Sequence, residues 1–133
     1  MKYLLDTNIC VYAMNGHIPV LRAMRRAGQG ALCTSTVVLG ELAFGVARSA
    51  PSHRERNALH LRLFAKAITV LPWSVEAAMC FGHERARLRR AGTPIGELDL
   101  LIGCQALADD LIMVTNNTRE FERIAGLKLE DWV

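Results

Sequence analysis

Apolar runs of strand length alternate with stretches of helical periodicity along almost the whole chain, and this alternation constrains the fold more than any other feature. Strands are expected at about Lys2 to Leu5, Ala31 to Thr34, Ile68 to Leu71 and Ile112 to Thr115. Between the first two, Thr7 to Asn15 and Pro19 to Ala27 read as a helical pair ending at Gly28. Ser35 is placed to cap a helix carrying Glu41, and a more polar helix runs from about His53 to Ala67. Ser74 caps a long helix through Arg90, stopped by Ala91-Gly92-Thr93-Pro94. A strongly apolar helix follows from about Glu97 to Ala108 and should lie against the sheet. Strands joined through helices pair in parallel, so the pattern predicts an α/β fold with a central parallel sheet of four to five strands.

At 133 residues, 51% of them hydrophobic, the chain has enough apolar surface for one core and reads as a single domain over 1–133. Cys10, Cys33, Cys80 and Cys104 stand singly in apolar stretches without Cys-x-x-Cys spacing. Free thiols are expected, which fits a reducing cytoplasm. No run reaches the roughly 18 apolar residues of a membrane span, so a soluble, untargeted protein with no membrane partner is expected. The four histidines show no metal-ligand spacing.

Three acids are set in apolar sequence, and two of them, Glu41 and Asp99, have no basic residue one helical turn away. Glu41 has Val37, Val38, Phe44 and Gly45 at three and four residues either side, and Asp99 has Ile95, Gly96, Ile102 and Gly103. Asp6 follows the apolar Tyr3-Leu4-Leu5. Carboxylates are seldom buried unless paired or bound to metal, so three converging ones suggest a divalent cation. Each also has a plainer reading: Asp6 as a helix cap, Glu41 as the partner of a distant arginine, Asp99 as a first-turn residue facing the helix dipole. Glu97 is a second acid at the site or an exposed first-turn glutamate. Ligand sites of parallel sheets lie beyond the carboxyl ends of the strands, where Asp6 and Thr115-Asn116-Asn117 fall. Those three polar residues either form a turn or orient a water at the site.

The formal net charge is +3, and arginine dominates the 16 basic residues; setting aside Asp6, Glu41, Glu97 and Asp99 leaves +7. An acidic pocket in an arginine-rich surface suits a polyanion held by guanidinium forks. Arg85, Arg87, Arg89 and Arg90 on the long helix are candidates for phosphate contact, against the alternative of a solvated face.

The ordered motifs resemble the PIN-domain ribonucleases, and among them the VapC-type toxins of bacterial toxin–antitoxin pairs. They are Leu4-Leu5-Asp6-Thr7-Asn8; Ser35 with Glu41-Leu42 and Gly45; Gly92-Thr93-Pro94-Ile95-Gly96 leading to Asp99-Leu100-Leu101-Ile102; and Val114-Thr115-Asn116-Asn117-Thr118-Arg119-Glu120-Phe121 with Asp131-Trp132. The resemblance implies a PIN-like three-layer α/β/α fold. It also implies a metal-dependent endoribonuclease in which Asp6, Glu41 and Asp99 hold Mg2+ or Mn2+. Thr7, Asn8, Ser35, Glu97, Thr115, Asn116 and Asn117 would support them, with Arg119 joining the RNA-contacting arginines. Asn117 stands where many relatives have a fourth acid, which bears on whether one metal binds or two. Further implications are a structured RNA substrate such as tRNA, a VapB-type antitoxin, a homodimer, and contact with DNA only through the antitoxin.

Two other classes compete. A phosphoacceptor receiver domain has similar length and architecture, but it needs an aspartate after its third strand and a lysine after its fifth. Leu71-Pro72-Trp73-Ser74 and the lysine positions 2, 66 and 128 supply neither. The other is a PIN-like module that binds RNA or protein without cutting.

Overall fold

The computed structural model describes residues 1–133. Five parallel strands, β1 (Tyr3–Leu5), β2 (Leu32–Ser35), β3 (Thr69–Leu71), β4 (Ile112–Val114) and β5 (Leu129–Glu130), form one sheet in the order β3-β2-β1-β4-β5. The helices are α1 (Thr7–Met14), α2 (Ile18–Ala27), α3 (Thr36–Ala47), α4 (Pro51–Ala67), α5 (Val75–Ala91), α6 (Glu97–Ala108) and the single turn α7 (Thr118–Phe121). The expected three-layer α/β/α arrangement is what forms, as a central parallel sheet of five strands.

The expected boundaries shift by a residue or two, each for a local reason. Ala31 belongs to a short 3-10 turn that enters β2, and α4 begins at Pro51, whose fixed φ and missing N–H suit a first helical position. Ser35 and Ser74 cap as expected, accepting from the Val37 and Ala77 amides at 3.0 and 3.1 Å. Gly92 takes the left-handed conformation at φ 72° that ends α5. The sequence reading gave no element after Thr115. α7 and β5 are four and two residues long, too short for periodicity to show.

The chain lays β1, β2 and β3 outward in one direction, then returns to add β4 on the other side of β1. That reversal between β1 and β4 opens a crevice at their carboxyl ends. β1 is flanked on both sides and its Leu4 and Leu5 are fully buried, each burial contributing about 1.5–3 kcal/mol. α6 is buried on several sides at once, at Leu100, Ile102, Cys104 and Ala106, which explains its apolar composition. Two polar side chains fix it against the loop after β3. Gln105 Nε2 donates to the Pro72 carbonyl at 3.0 Å, and Trp73 Nε1 donates to the Leu101 carbonyl at 2.9 Å. All four cysteines are free, and no helix is long and apolar enough to cross a membrane.

Candidate active site

Asp6 leaves β1 at the crevice and caps α1, its Oδ1 accepting from the Thr7 amide at 2.8 Å. Its backbone N–H donates to the Val114 carbonyl, which ties it to the end of β4. There the Thr115 hydroxyl donates to Asp6 Oδ2 at 2.8 Å. Both oxygens are therefore aimed by neighbours, and the residue is only 4% exposed. Burial pushes its carboxyl above the ordinary aspartate value. The Thr115 and Thr7 hydrogen bonds oppose that rise, and the Glu41 charge adds to it.

Glu41 comes from the second turn of α3, which Ser35 starts at the carboxyl end of β2. The Thr7 hydroxyl donates to its Oε1 at 2.7 Å. Asp99 sits in the first turn of α6, near the positive end of the helix dipole. Partial burial and then the charges of Asp6, Glu120 and Glu41 nevertheless raise its pKa to about 6.

Asp6, Glu41 and Asp99 line one cavity of about 420 Å3, joined by Thr7, Asn8, Val11, Tyr12, Asn15 and Asn117. No lysine or arginine lines it. The acids face each other across the cavity without closing into a tight cage; no three His, Cys, Asp or Glu side chains meet as a ready-made ion site. The donors are hard oxygens. Like charge across the cavity adds to the raised proton affinity of Asp6 and Asp99, so the cavity favours whatever positive charge enters it.

The supporting residues divide. Thr7, Asn8 and Asn117 line the cavity, and Thr115 acts on it through Asp6. Ser35 is buried as the cap of α3. Asn116 does not line the cavity: its backbone N–H donates to Asn8 Oδ1 at 3.4 Å, and its side chain donates to Asp131 at 3.3 Å. Glu97 points elsewhere, pairing with Arg85 at 3.2 Å.

The arginines divide as well. Arg87 is committed to structure: its Nη2 donates to the buried Glu84 at 2.7 Å and to the Arg123 carbonyl at 2.6 Å. Glu84 also accepts from the Ala125 amide, and its carboxyl is held below the usual range, chiefly by the Arg87 hydrogen bonds. Arg89, Arg90 and Arg119 are exposed.

Glu120 is the residue that the sequence reading passed over. Its Oε1 accepts from the Gly96 amide at 2.7 Å and its Oε2 from Asn117 Nδ2 at 3.0 Å. Those two bonds hold its carboxyl low, and its charge acts on Asp99. A carboxylate is thus present beside Asn117 after all, one helical turn later. The signal was the i, i+3 spacing from Asn117, visible only once a turn of helix is placed there.

A model of the PIN domain matches residues 3–127. The chain is 42% identical over 132 residues to a tRNA(fMet)-specific endonuclease VapC from Shigella flexneri, covering 99% of this chain and 98% of that protein. A VapC2 ribonuclease from Rickettsia felis is 38% identical over 134 residues, with 99% and 98% covered. Among solved structures, the DNA-bound VapBC complex of Salmonella typhimurium contains a chain that superposes with a TM-score of 0.94 at 36% identity, covering 100% of this chain and 99% of that one. VapBC2 from Rickettsia felis, bound to a promoter DNA fragment, gives 0.91 at 35% identity, with both chains fully covered. With its motifs, sheet order and carboxylate cavity all in place, the chain belongs to the PIN-domain family and, within it, to the VapC ribonucleases.

Proposed function

We propose that this ribonuclease is a divalent-cation-dependent endonuclease of structured RNA, tRNA above all, acting as the toxin of a pair with a VapB-type antitoxin. The observation that carries the reading is the cavity where Asp6, Glu41 and Asp99 converge with no basic residue among them. Polyanion cleavage at a cavity whose only charged groups are acids requires a cation to offset the repulsion.

The donor set fits Mg2+ or Mn2+ better than zinc or copper, since it is carboxylate and amide oxygen without histidine or thiolate. A loose arrangement is no obstacle, because Mg2+ keeps several waters and uses only one or two carboxylates. Asp6 and Asp99 would hold the ion, with Glu41 close by. Bound there, it supplies Lewis-acid polarisation of the scissile phosphate and a lowered pKa for the attacking water. The chain's own part is orientation. Thr7 and Thr115 fix the two oxygens of Asp6, Thr7 fixes Glu41, and Asn117 fixes Glu120. In-line attack leaves 5′-phosphate and 3′-hydroxyl ends.

The tRNA preference follows the name of the Shigella flexneri relative, and the antitoxin follows the VapBC complexes, in which DNA is also present. Homodimerisation, with DNA reached only through the antitoxin, and an undivided domain over 1–133 belong to the same proposal. The test is cleavage of end-labelled total tRNA by antitoxin-free protein with Mg2+, Mn2+ or chelator, beside Asp6→Asn. Cation-dependent cuts made by the wild type alone support the reading. A folded, cation-binding wild type that cuts no RNA leaves the non-cutting binding module in its place.

A further inference from the structure

A cavity of about 250 Å3 lies between α5 and the first turn of α6. Glu97 and Asp99 are two residues apart in that turn, so they leave the helix on opposite sides. Asp99 lines the acidic cavity and Glu97 lines this one, which makes the first turn of α6 the partition between them. Leu88, Ile95 and Leu100 give the cavity an apolar back, and Arg85, Arg89 and Glu97 hold its charge. Arg85 and Arg89 stand one turn apart on the same face of α5. Arg85 Nη1 meets Glu97 Oε1 at 3.2 Å, with the two side chains 42% and 64% exposed. The Arg85 guanidinium also lies over the Phe81 ring at 5.7 Å. Arg89 takes part in neither of the chain's two ion pairs.

We infer that this cavity takes an RNA phosphate neighbouring the scissile one, and that Glu97 occupies the site until RNA displaces it. The inference rests on the reading of the acidic cavity as the cleavage site. One helical turn separates the two cavities, so a strand with its scissile phosphate at Asp99 carries an adjacent phosphate over the start of α6 to Arg85 and Arg89. The Glu97 carboxylate shows what this place accepts, an oxyanion on a guanidinium. An ion pair so exposed is weak, so exchanging carboxylate for phosphate loses little, and the phosphate gains Arg89, which Glu97 does not engage. Two arginines against one glutamate leave this cavity net positive, while the acidic cavity has no cation of its own. The field therefore draws the backbone to this side of α6. An acidic peptide would suit the same arginines, but only the RNA is obliged to pass within a turn of Asp99.

The experiment compares wild type, Glu97→Gln, the double variant Arg85→Ala with Arg89→Ala, and the triple variant, each shown to be folded by thermal melting. Anisotropy of a labelled stem-loop spanning the mapped cut, measured in chelator, reads binding without cleavage. There Glu97→Gln should bind about two- to fivefold more tightly, the range of an exposed ion pair. The double variant should bind roughly tenfold more weakly and lower the slope of log Kd against log salt by about 0.7, the loss of one phosphate contact. In the triple variant Glu97→Gln should bring no gain, because the glutamate acts only by holding the arginines. In cleavage of total tRNA the same factors should appear in KM, with smaller changes in kcat. A neutral methylphosphonate placed first on one side of the cut and then on the other should weaken wild-type binding roughly tenfold at one of the two positions and cost the double variant nothing further there.

A wild type that cuts, beside folded variants with unchanged KM, Kd and salt slope, overturns the subsite alone and leaves Arg85 and Glu97 as a surface ion pair. A gain from Glu97→Gln that survives removal of both arginines overturns the part given to Glu97. Arginine variants that cut normally yet escape inhibition by a VapB-type antitoxin also overturn the subsite, and make the cavity a protein contact. A wild type that binds the stem-loop through Arg85 and Arg89 and never cuts overturns the cleavage reading instead.

Discussion

The Thr115 hydroxyl donates to Asp6 Oδ2 at 2.8 Å across 109 positions of sequence, joining the ends of β1 and β4 where the chain reverses direction in the sheet. It is a buried bond to a buried carboxylate, and Thr115 Oγ1 also accepts from the Asn117 amide at 3.0 Å. One hydroxyl thus links the first acid of the cavity to the loop that leads to Glu120.

Thr115→Val keeps the shape of the side chain and removes the hydroxyl. Asp6 then has one oxygen without its partner, and stability should fall by about 1–3 kcal/mol at neutral pH. Urea unfolding measures the loss. The Asp6 carboxyl rises further from its ordinary value, so the deficit shrinks as pH falls and the acid is protonated. An equal deficit at pH 4 and pH 8 contradicts this account.

Asp99→Asn should stabilise the cation-free protein above pH 6. The Asp99 carboxyl, at about 6, is above its ordinary value of 3.8, so the folded state holds its proton more tightly than the unfolded chain does. Wild-type stability therefore rises as pH drops from above 6 towards 4, and an asparagine removes that dependence. Melting in chelator at pH 7.5 should show the variant above the wild type, with the gap closing near pH 4. Under the proposed cation-dependent reading, adding Mg2+ should raise the wild-type Tm and leave the variant nearly unmoved.

Arg87→Ala should cost stability and leave RNA affinity alone. Glu84 is buried, its low carboxyl value depends first on the Arg87 hydrogen bonds, and no other side chain replaces them. A depressed carboxyl contributes stability above its ordinary value and loses it as pH falls, so the variant's deficit should be largest at neutral pH and fade in acid. An unchanged Tm with a raised KM for RNA would return Arg87 to the phosphate-contacting set.

Gly103→Val tests how α6 holds the last loop. A Cβ at Gly103 would run into Ile124 Cδ1 and come within 3.3 Å of the Phe121 ring, and both residues are buried. Overpacking of this kind costs about 1–3 kcal/mol. Because Phe121 belongs to α7, the clash should also displace Asn117 and Glu120 and lower kcat. Full activity with the expected loss of stability would show that α7 can move without disturbing the acids.

The sequence alone determined the architecture and singled out the candidate acids. Strand-length apolar runs alternating with capped helices left parallel α/β as the consistent solution, and Asp6, Glu41 and Asp99 stood out as acids in apolar sequence, the latter two with no local residue to neutralise them. Short-range chemistry carried those signals: periodicity, caps, and partners within one turn. Tertiary structure decided which polar residues meet across long separations. It turned Glu97 and Arg85 towards each other, committed Arg87 to Glu84, brought Thr115 onto Asp6, and placed Glu120 beside Asn117 within reach of Asp99. The physical reason is that a side chain's partner depends on how strands order and how helices pack, and neither is written in the residues nearest to it.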